Sequence, residues 1–278
     1  MKRWKPFVSL LFAVGCATFL LFTADPDAVD VQLMGERKSD RKTAGEINFK
    51  PVGEGTVSTA QNETSPSMSG DGNTLVFARY ADDWSRKTPF IASQQGERWF
   101  VEELKALGTV YNLSISNDGK SIVSADADDG ELVRFDSVAG QWLKIESISE
   151  KTGVTGSYPQ LRENGDLVFY DPDGTEGGGI YLLPNRGEEF DVPEVLFVPG
   201  IGTAFDGYLD EDTCLYFTWC RTTTCTAEQG DGIHVLCEGD ESPKYLPELG
   251  YRWGIQPTAR EFTYILTDGE DIVIWRDD

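Results

Sequence analysis

Residues 63–77 read ETSPSMSGDGNTLVF, and this stretch decides the fold. A strand of small residues, an Asp-Gly turn and an apolar strand follow one another in it, as in a tight β-hairpin. The pattern recurs four times further along the chain, less closely in the last two copies. The corresponding turn residues are spaced 46 to 48 residues apart: Gly72, Gly119, Gly165, Asp212 and Arg260. Such regular spacing indicates an internal structural repeat.

A repeat of about 47 residues suits a four-stranded propeller blade, and further short alternating segments follow each hairpin. The fifth repeat lacks an outermost strand, whereas residues 46–52 form a strand that belongs to no repeat. Pairing of this strand with the last repeat closes the ring and removes an exposed sheet edge. The sequence therefore predicts an all-β fold: a five-bladed β-propeller of four-stranded blades, whose last blade is closed by the N-terminal strand.

Residues 65–77 also fit the motif P-x-x-S-x-D-G-x-x-L-x-F, with the proline at Pro66 and the phenylalanine at Phe77. In this they resemble the WD40-like PD40 repeat of TolB-type propellers. The resemblance extends from residue 46 to the C-terminus and is best in the first two repeats. It implies a periplasmic or envelope-associated binding module that interacts with proteins. The repeat encodes none of that family's functional residues, so the resemblance implies no site.

The N-terminal segment has the pattern of an export signal. Three basic residues within the first five precede an uncharged apolar run at residues 7–24, and an acidic stretch follows. This order is typical of a segment whose N-terminus stays in the cytoplasm while the chain behind it is exported. We expect residues 1–24 to be a signal peptide or an N-terminal membrane anchor, 25–45 a polar linker, and 46–278 the propeller. The protein is then periplasmic or in the cell envelope, held at the inner membrane if residues 7–24 are retained.

The charge of the chain argues against one class of partner. It has 47 acidic and 24 basic residues, a formal net charge of −23. A phosphate backbone is bound by clustered Lys and Arg, so a nucleic-acid partner is not expected. A cationic or uncharged partner fits this charge better. Contact with a membrane is expected only through the N-terminal segment.

Four of the five cysteines lie close together in the fourth repeat, which in an exported chain predicts two disulfides. If the strands that carry Cys214 and Cys237 form one hairpin, these two residues lie opposite each other. Cys220 then falls at the loop end of the hairpin, where Cys225 is its partner. The pairing expected is Cys214–Cys237 and Cys220–Cys225. A zinc site formed by all four thiolates is the alternative, although neither pair has the usual C-x2-C spacing.

Catalytic motifs are scarce. The single histidine, His234, alternates with apolar residues on a predicted strand, which favours a packed side chain over a catalytic base. Neither the G-x-S-x-G motif of serine hydrolases nor a P-loop or dinucleotide-binding motif occurs. Glycosidases need two carboxyl groups. Asp206 is the one acidic residue predicted to point into the channel, with Glu63 at its entrance, so Asp206 is a weak catalytic candidate without a second carboxylate.

Acidic residues follow the second strand of several repeats. Such loops lie on one face of a propeller, together with the beginnings of the innermost strands. We therefore predict a ligand-binding acidic rim that includes Asp126, Asp128, Asp171 and Asp173. Calcium takes carboxylate and carbonyl oxygens, so Asp171, Asp173 and Glu176 are weak candidates for a calcium site. Repeated Asp-Gly turns explain the same residues without a metal.

Aromatic residues near the same face are the other predicted contribution to binding. Tyr111, Tyr158, Phe205 and Trp253 lie at or near the beginnings of innermost strands. Aromatic rings beside a channel mouth stack on sugars or hold a peptide, and they equally pack between blades.

These observations lead to two hypotheses of different class. The first is a non-enzymatic binding module of the cell envelope whose acidic, aromatic face holds a protein or peptide partner. The alternative is a carbohydrate-active propeller, either a glycoside hydrolase or a glycan-binding protein. Neither hypothesis requires a cofactor, and calcium is the one metal that the acidic loops suggest.

Overall fold

A computed structural model of the protein describes residues 49–81, 85–174, 176, 178–187, 189–221, 230–250, 252–258, 263–267 and 271–276. Within these ranges the chain is nearly all β-structure, with five four-stranded antiparallel sheets. The exceptions are the short helix α1 (Ile148–Thr152) and two 3-10 turns, Lys105–Leu107 and Pro247–Leu249. No helix in this part of the chain is long and apolar enough to cross a membrane.

The five sheets are the five predicted blades, arranged as a β-propeller, and each begins at the central channel with its innermost strand. Blade 1 consists of β2 (Glu63–Met68), β3 (Thr74–Tyr80), β4 (Lys87–Gln95) and β5 (Arg98–Glu103). Blade 2 consists of β6 (Val110–Ile115), β7 (Ser121–Asp126), β8 (Leu132–Val138) and β9 (Gln141–Ser147). Blade 3 consists of β10 (Ser157–Leu161), β11 (Leu167–Asp171), β12 (Gly179–Leu183) and β13 (Glu194–Phe197). Blade 4 consists of β14 (Thr203–Leu209), β15 (Cys214–Cys220), β16 (Gly232–Cys237) and β17 (Lys244–Tyr245).

Blade 5 combines the last three strands of the described chain with the first one, as the repeat count predicted. It consists of β18 (Trp253–Pro257), β19 (Thr263–Thr267), β20 (Ile272–Arg276) and, as its outermost strand, β1 (Lys50–Pro51). The β1 strand pairs antiparallel with β20, and each innermost strand contacts the next around a closed ring. The described part of β1 is shorter than the predicted strand, and the chain turns at Gly53, whose φ is 52°. Residues 46–48 lie outside the described residues.

The hydrophobic core is divided among the interfaces between blades. Alternating residues of a middle strand face opposite neighbours, as the period of two in a β-strand requires. In β3, Leu75 and Phe77 pack with Ile265 of blade 5, whereas Val76 packs with Ile122 of blade 2. The other three interfaces contain corresponding buried clusters. Each blade is therefore buried on both faces, and closure of the ring completes the last of these clusters.

The fourth blade contains the predicted disulfide. Cys214 and Cys237 are opposite each other in the β15–β16 ladder and are bonded to each other. This confirms the predicted bond between Cys214 and Cys237, and it excludes a zinc site that uses all four thiolates. Cys220 is also disulfide-bonded, and its predicted partner, Cys225, lies outside the described residues.

Every innermost strand has an irregular register with the second strand of its blade. In four blades a residue with positive φ lies at the irregularity: Ser65, Tyr158, Asp206 and Gly254, with φ from 52° to 67°. Such bulges re-aim side chains, and positive φ is uncommon for residues other than glycine. Here they act on the residues that line the channel.

Candidate functional site

The waist of the central channel is a cavity of about 50 Å³ lined by three consecutive residues from each innermost strand. Those residues are Ser65-Pro66-Ser67, Asn112-Leu113-Ser114, Tyr158-Pro159-Gln160, Asp206-Gly207-Tyr208 and Gly254-Ile255-Gln256. Asp206 is the one carboxylate among them. A water molecule takes up about 30 Å³ of liquid, so the waist has room for a few atoms.

Polar side chains of the waist join neighbouring blades. The last but one residue of an innermost strand accepts a hydrogen bond from the last backbone N–H of the next innermost strand. Ser67 Oγ accepts from Ile115 N at 3.1 Å, and Ser114 Oγ accepts from Leu161 N at the same distance. Gln160 Oε1 likewise accepts from the backbone N–H of the next strand, at 2.9 Å. These bonds satisfy buried donors, whose desolvation otherwise costs about 1–3 kcal/mol each.

One position in this ring departs from the rule. The acceptor position of blade 4 is Tyr208, and the donor position of blade 5 is Pro257. Proline has no backbone N–H, so the bond made by the other four blades does not form here. The hydroxyl of Tyr208 forms no hydrogen bond with any described residue. Among the five residues at this position, Tyr208 is therefore the one whose side chain makes no hydrogen bond to the next innermost strand.

The channel opens at one end into a much larger cavity of about 760 Å³, which we call the mouth. Its walls come from the turns between the first and second strands of the blades, and Gln160, Tyr208 and Gln256 line both the mouth and the waist. Among the described residues, the charged groups that line the mouth are one basic residue and four acidic ones: Arg162, Glu163, Asp210, Glu211 and Asp212. Tyr216 and Tyr264 add aromatic surface, with ring centroids 6.2 Å apart.

Burial and negative charge modify the ionisable groups of the mouth. Burial, followed by the charge of Asp210, raises the pKa of Tyr208 to about 12. Burial and the neighbouring Tyr264 raise the pKa of Tyr216 to about 12. Burial also raises the pKa of Asp210, whose Oδ1 accepts a hydrogen bond from Cys214 N at 2.8 Å. Both tyrosines are therefore neutral hydrogen-bonding groups at physiological pH.

The predicted acidic rim lies on the opposite face, in the loops between second and third strands. Asp126 Oδ1 accepts a hydrogen bond from Asp128 N at 2.8 Å, and Asp171 Oδ1 accepts from Asp173 N at 2.9 Å. These are the local bonds of Asx turns. Burial raises the pKa of Asp171, and Glu176 is exposed. Within the described ranges, no three His, Cys, Asp or Glu side chains are grouped so that they could hold a metal.

The four predicted aromatic residues lie beneath that same face. Tyr111, Phe205 and Trp253 are buried, and Tyr158 is half-buried. The hydroxyls of Tyr111 and Tyr158 are 3.1 Å apart, and the ring centroid of Tyr158 is 5.2 Å from that of Phe205. The structure thus brings three of the four together across blades 2, 3 and 4. Their rings pack mainly against one another.

Glu63 and His234, the other residues considered for catalysis, are both buried and contact other side chains of the fold. Glu63 is fully buried, and its carboxylate forms an ion pair with Arg79 at 2.9 Å. Burial raises the pKa of Glu63, although bonds from Thr59 and Arg79 oppose the shift. His234 is fully buried, and its ring lies 5.2 Å from each of the rings of Trp219 and Tyr245.

The mouth was not predicted from the sequence. Its carboxylates belong to turns between first and second strands, where Asp and Glu are common for conformational reasons. The run Asp210-Glu211-Asp212 stands where the first two repeats have Asp-Gly and the third has Asn-Gly, and it was the available signal. In the sequence this run resembles a degenerate copy of the repeated turn.

Comparison with known proteins supports the fold. No protein-family model matches the chain, and no curated protein matches its sequence. Among solved structures, a gluconolactonase from Xanthomonas campestris aligns with a TM-score of 0.50 and 13% identity, covering 84% of this chain and 90% of that one. Nidogen from a nidogen/laminin complex aligns with a TM-score of 0.48 and 14% identity over 75% and 73% of the two chains. The Cps50 (Swd1) β-propeller domain of Myceliophteria thermophila aligns with a TM-score of 0.45 and 11% identity over 78% and 84%. At these identities a likeness shows the fold alone, and the chain is a five-bladed β-propeller.

Proposed function

We propose that this protein is an exported, TolB-like propeller that binds a basic segment of a protein partner at the channel mouth and catalyses no reaction. The observation that carries the proposal is the mouth itself, an open cavity of about 760 Å³ whose described lining has four carboxylates and one guanidinium. Cavities of roughly 300–1,000 Å³ are typical of ligand sites.

Arg162 is the one basic residue among the described residues of the mouth, and it is already engaged. Arg162 Nη2 donates to the backbone carbonyl of Asp210 at 3.0 Å, and Nη1 lies 3.9 Å from Asp166 Oδ2. Glu211 and Asp212 are exposed, so their charges face solvent at the rim. A cationic segment is attracted to such a rim, and the net charge of −23 extends the attraction to longer range.

The geometry of the waist favours binding over glycoside hydrolysis. Glycosidases use two carboxyl groups about 5–9.5 Å apart. Asp206 is the one carboxylate among the residues that line the waist, and a cavity of about 50 Å³ is too small for a sugar ring. Asp206 therefore has neither a second acid nor room for a substrate in the described structure.

A binding experiment that compares the two faces tests the proposal. Fluorescence anisotropy with labelled hexalysine, in low salt, should show binding that hexaglutamate does not show. The variant Glu211→Gln/Asp212→Asn should weaken hexalysine binding roughly tenfold, about 1.4 kcal/mol. The matched control Asp128→Asn/Asp173→Asn removes the same charge from the opposite face and should leave it unchanged. Loss of binding in the control alone would place the site on the face that the sequence indicated.

A second candidate function is glycan binding without hydrolysis. Tyr208, Tyr216 and Tyr264 line the mouth beside the carboxamides of Gln160 and Gln256, and aromatic rings with planar polar groups suit sugars. Binding to a glycan panel that Tyr216→Ala abolishes, with no binding of hexalysine, would favour it. Unchanged activity of Asp206→Asn on any hydrolysed glycan would remove Asp206 as a catalytic residue.

Export is part of the same proposal and is tested separately. The basic residues and apolar run at the N-terminus support it. Cell fractionation should find the chain in the periplasm or envelope, and replacing the three basic residues with glutamate should retain it in the cytoplasm.

A further inference from the structure

The side-chain amide of Asn112, in the channel waist, has a buried donor without a hydrogen-bond partner among the described residues. Asn112 lines the waist and is 2% exposed. Its Oδ1 accepts a hydrogen bond from Tyr158 N at 2.6 Å, which fixes the orientation of the amide. Its Nδ2 is buried and has no hydrogen-bond partner among the described residues. Buried polar atoms are nearly always paired, so a buried donor at the wall of a cavity points to a ligand.

The hydroxyl of Tyr208 is a second donor on a residue that lines the waist. Tyr208 lines both the mouth and the waist, and its hydroxyl stays protonated because burial and Asp210 raise its pKa to about 12. Pro257 offers it no backbone N–H, so Tyr208 does not take part in the ring of bonds between blades.

The residues that line the waist also supply an acceptor. Asp206 lines the waist, and Asp206 Oδ2 is 3.8 Å from the position that a Cβ atom on Gly254 would occupy. A carboxylate accepts about four hydrogen bonds, so it can receive one from a ligand whatever else it contacts.

We propose that the waist is a subsite for a primary carboxamide, presented by a glutamine or asparagine side chain of the segment that the mouth binds. The carboxamide oxygen accepts from Asn112 Nδ2 and the Tyr208 hydroxyl, and its NH₂ group donates to Asp206. This inference deepens the proposed function and rests on it for the direction of approach through the mouth.

Other end groups match this set of partners less well. Lysine and arginine side chains have no acceptor for the two donors. A carboxylate has the acceptors, but it would lie beside the carboxylate of Asp206 and be repelled. An aliphatic group offers no acceptor to the buried Nδ2 of Asn112. The volume of about 50 Å³ exceeds that of one water and suits a group of a few heavy atoms.

Peptides that differ at one position test the subsite. In Lys-Lys-Lys-X-Lys-Lys-Lys, X is glutamine, leucine or glutamate, and affinity is measured by fluorescence anisotropy. The glutamine peptide should bind roughly tenfold more tightly than the leucine peptide, as expected for one additional well-made set of polar contacts. The glutamate peptide should bind more weakly still. Equal affinities for glutamine and leucine would overturn the subsite and leave the proposed function standing.

Two variants of residues that line the channel test whether the preference for the glutamine peptide over the leucine peptide arises in the waist. Asn112→Asp keeps the acceptor for Tyr158 N and replaces the free donor with an oxygen, and Tyr208→Phe removes only a hydroxyl. Each should abolish most of the preference while the leucine peptide binds as before. The control Gln141→Glu makes the same amide-to-acid change at the exposed start of β9 and should keep the preference. If Asn112→Asp fails to fold, the affinity ratio of the glutamine and leucine peptides for Tyr208→Phe tests the assignment by itself. Retained preference in both variants would contradict the assignment.

A small probe separates the subsite from the mouth. Propionamide titrated into ¹⁵N-labelled protein should shift the side-chain NH₂ signals of Asn112, and propionate should not. Such a shift without any binding of the lysine peptides would support the subsite and reject the basic partner. No shift with propionamide, together with equal peptide affinities, would show that the amide serves only the packing of the channel.

Discussion

Gln256 in the last blade binds both backbone groups of Met68 in the first blade. Its Oε1 accepts from Met68 N at 2.9 Å, and its Nε2 donates to Met68 O at 3.0 Å. The two residues are 188 positions apart, so this pair joins the beginning and the end of the repeat array next to the channel. On the outside, β1 and β20 join the same two parts of the chain.

Replacing Gln256 with leucine should therefore weaken ring closure. The change leaves the buried N–H and C=O of Met68 without partners, and we expect a loss of about 2 kcal/mol in the free energy of unfolding. Urea denaturation followed by tryptophan fluorescence measures it. The exposed Gln95→Leu, at the end of β4, is the control and should change stability by less than about 0.5 kcal/mol. Similar small effects for both substitutions would mean that the outer strands alone close the ring.

The ion pair between Glu63 and Arg79 should be the most sensitive electrostatic contact. Arg79 also donates to the backbone carbonyls of Thr56 and Val57, so it holds the segment between the closing strand and blade 1. Arg79→Met leaves Glu63 buried and unneutralised, with an expected cost of about 3–5 kcal/mol. The double variant with Glu63→Gln should recover part of this loss. Additive losses in thermal or urea unfolding would show that the two residues act independently.

The disulfide between Cys214 and Cys237 should stabilise the fourth blade. It closes a loop with a sequence separation of 23 residues, for which the chain-entropy estimate is about 3 kcal/mol. Replacing both cysteines with serine should lower the free energy of unfolding by about that amount. Peptide mapping without reduction should still find Cys220 oxidised in this variant. Exchange of Cys220 to another partner would instead indicate that the Cys214–Cys237 bond guides correct pairing.

His234 should make the fold sensitive to mild acid. Burial lowers the pKa of its imidazole, and Nδ1 lies 3.0 Å from the carbonyl of Gly232. The unfolded chain takes up a proton near the ordinary histidine pKa of about 6.5, while the folded chain resists it until lower pH. Stability is therefore complete above about pH 6.5 and falls as pH decreases toward the depressed pKa, by at most about 1.4 kcal/mol per pH unit.

A variant without the imidazole tests that assignment. His234→Asn keeps a donor for the Gly232 carbonyl and has no group that titrates in this range. Its unfolding free energy should vary less than that of the wild type between pH 6.5 and 5.5, measured by urea titration. A wild-type slope that persists in the variant would assign the acid sensitivity to carboxylates.

Calcium should have little effect on stability if the acidic loops are turns. Asp126 and Asp171 use carboxylate oxygens to accept neighbouring backbone N–H groups. We expect the melting temperature to differ by less than about 1 °C between millimolar Ca²⁺ and EDTA, since a bound ion would raise it by mass action. A clear rise with Ca²⁺ that Asp171→Asn and Asp173→Asn remove would establish the weak site suggested by the sequence.

The sequence by itself determined the number of blades, the origin of the closing strand and the partner of Cys214. These features depend on local signals, because an Asp-Gly turn and alternating apolar residues specify a hairpin wherever they occur. The register that opposes Cys214 to Cys237 follows from one hairpin, and the missing strand of blade 5 follows from counting the repeats.

Only the tertiary structure decided which side chains meet in the channel. Each innermost strand has an irregular register, and one extra residue moves the following side chains to the other face of a strand. Alternation in the sequence therefore cannot show that Asn112 and Tyr208 border one cavity, or that Tyr111, Phe205 and Trp253 are buried. The mouth likewise combines residues from all five blades, so its chemistry arises when ring closure brings those residues to one end of the channel.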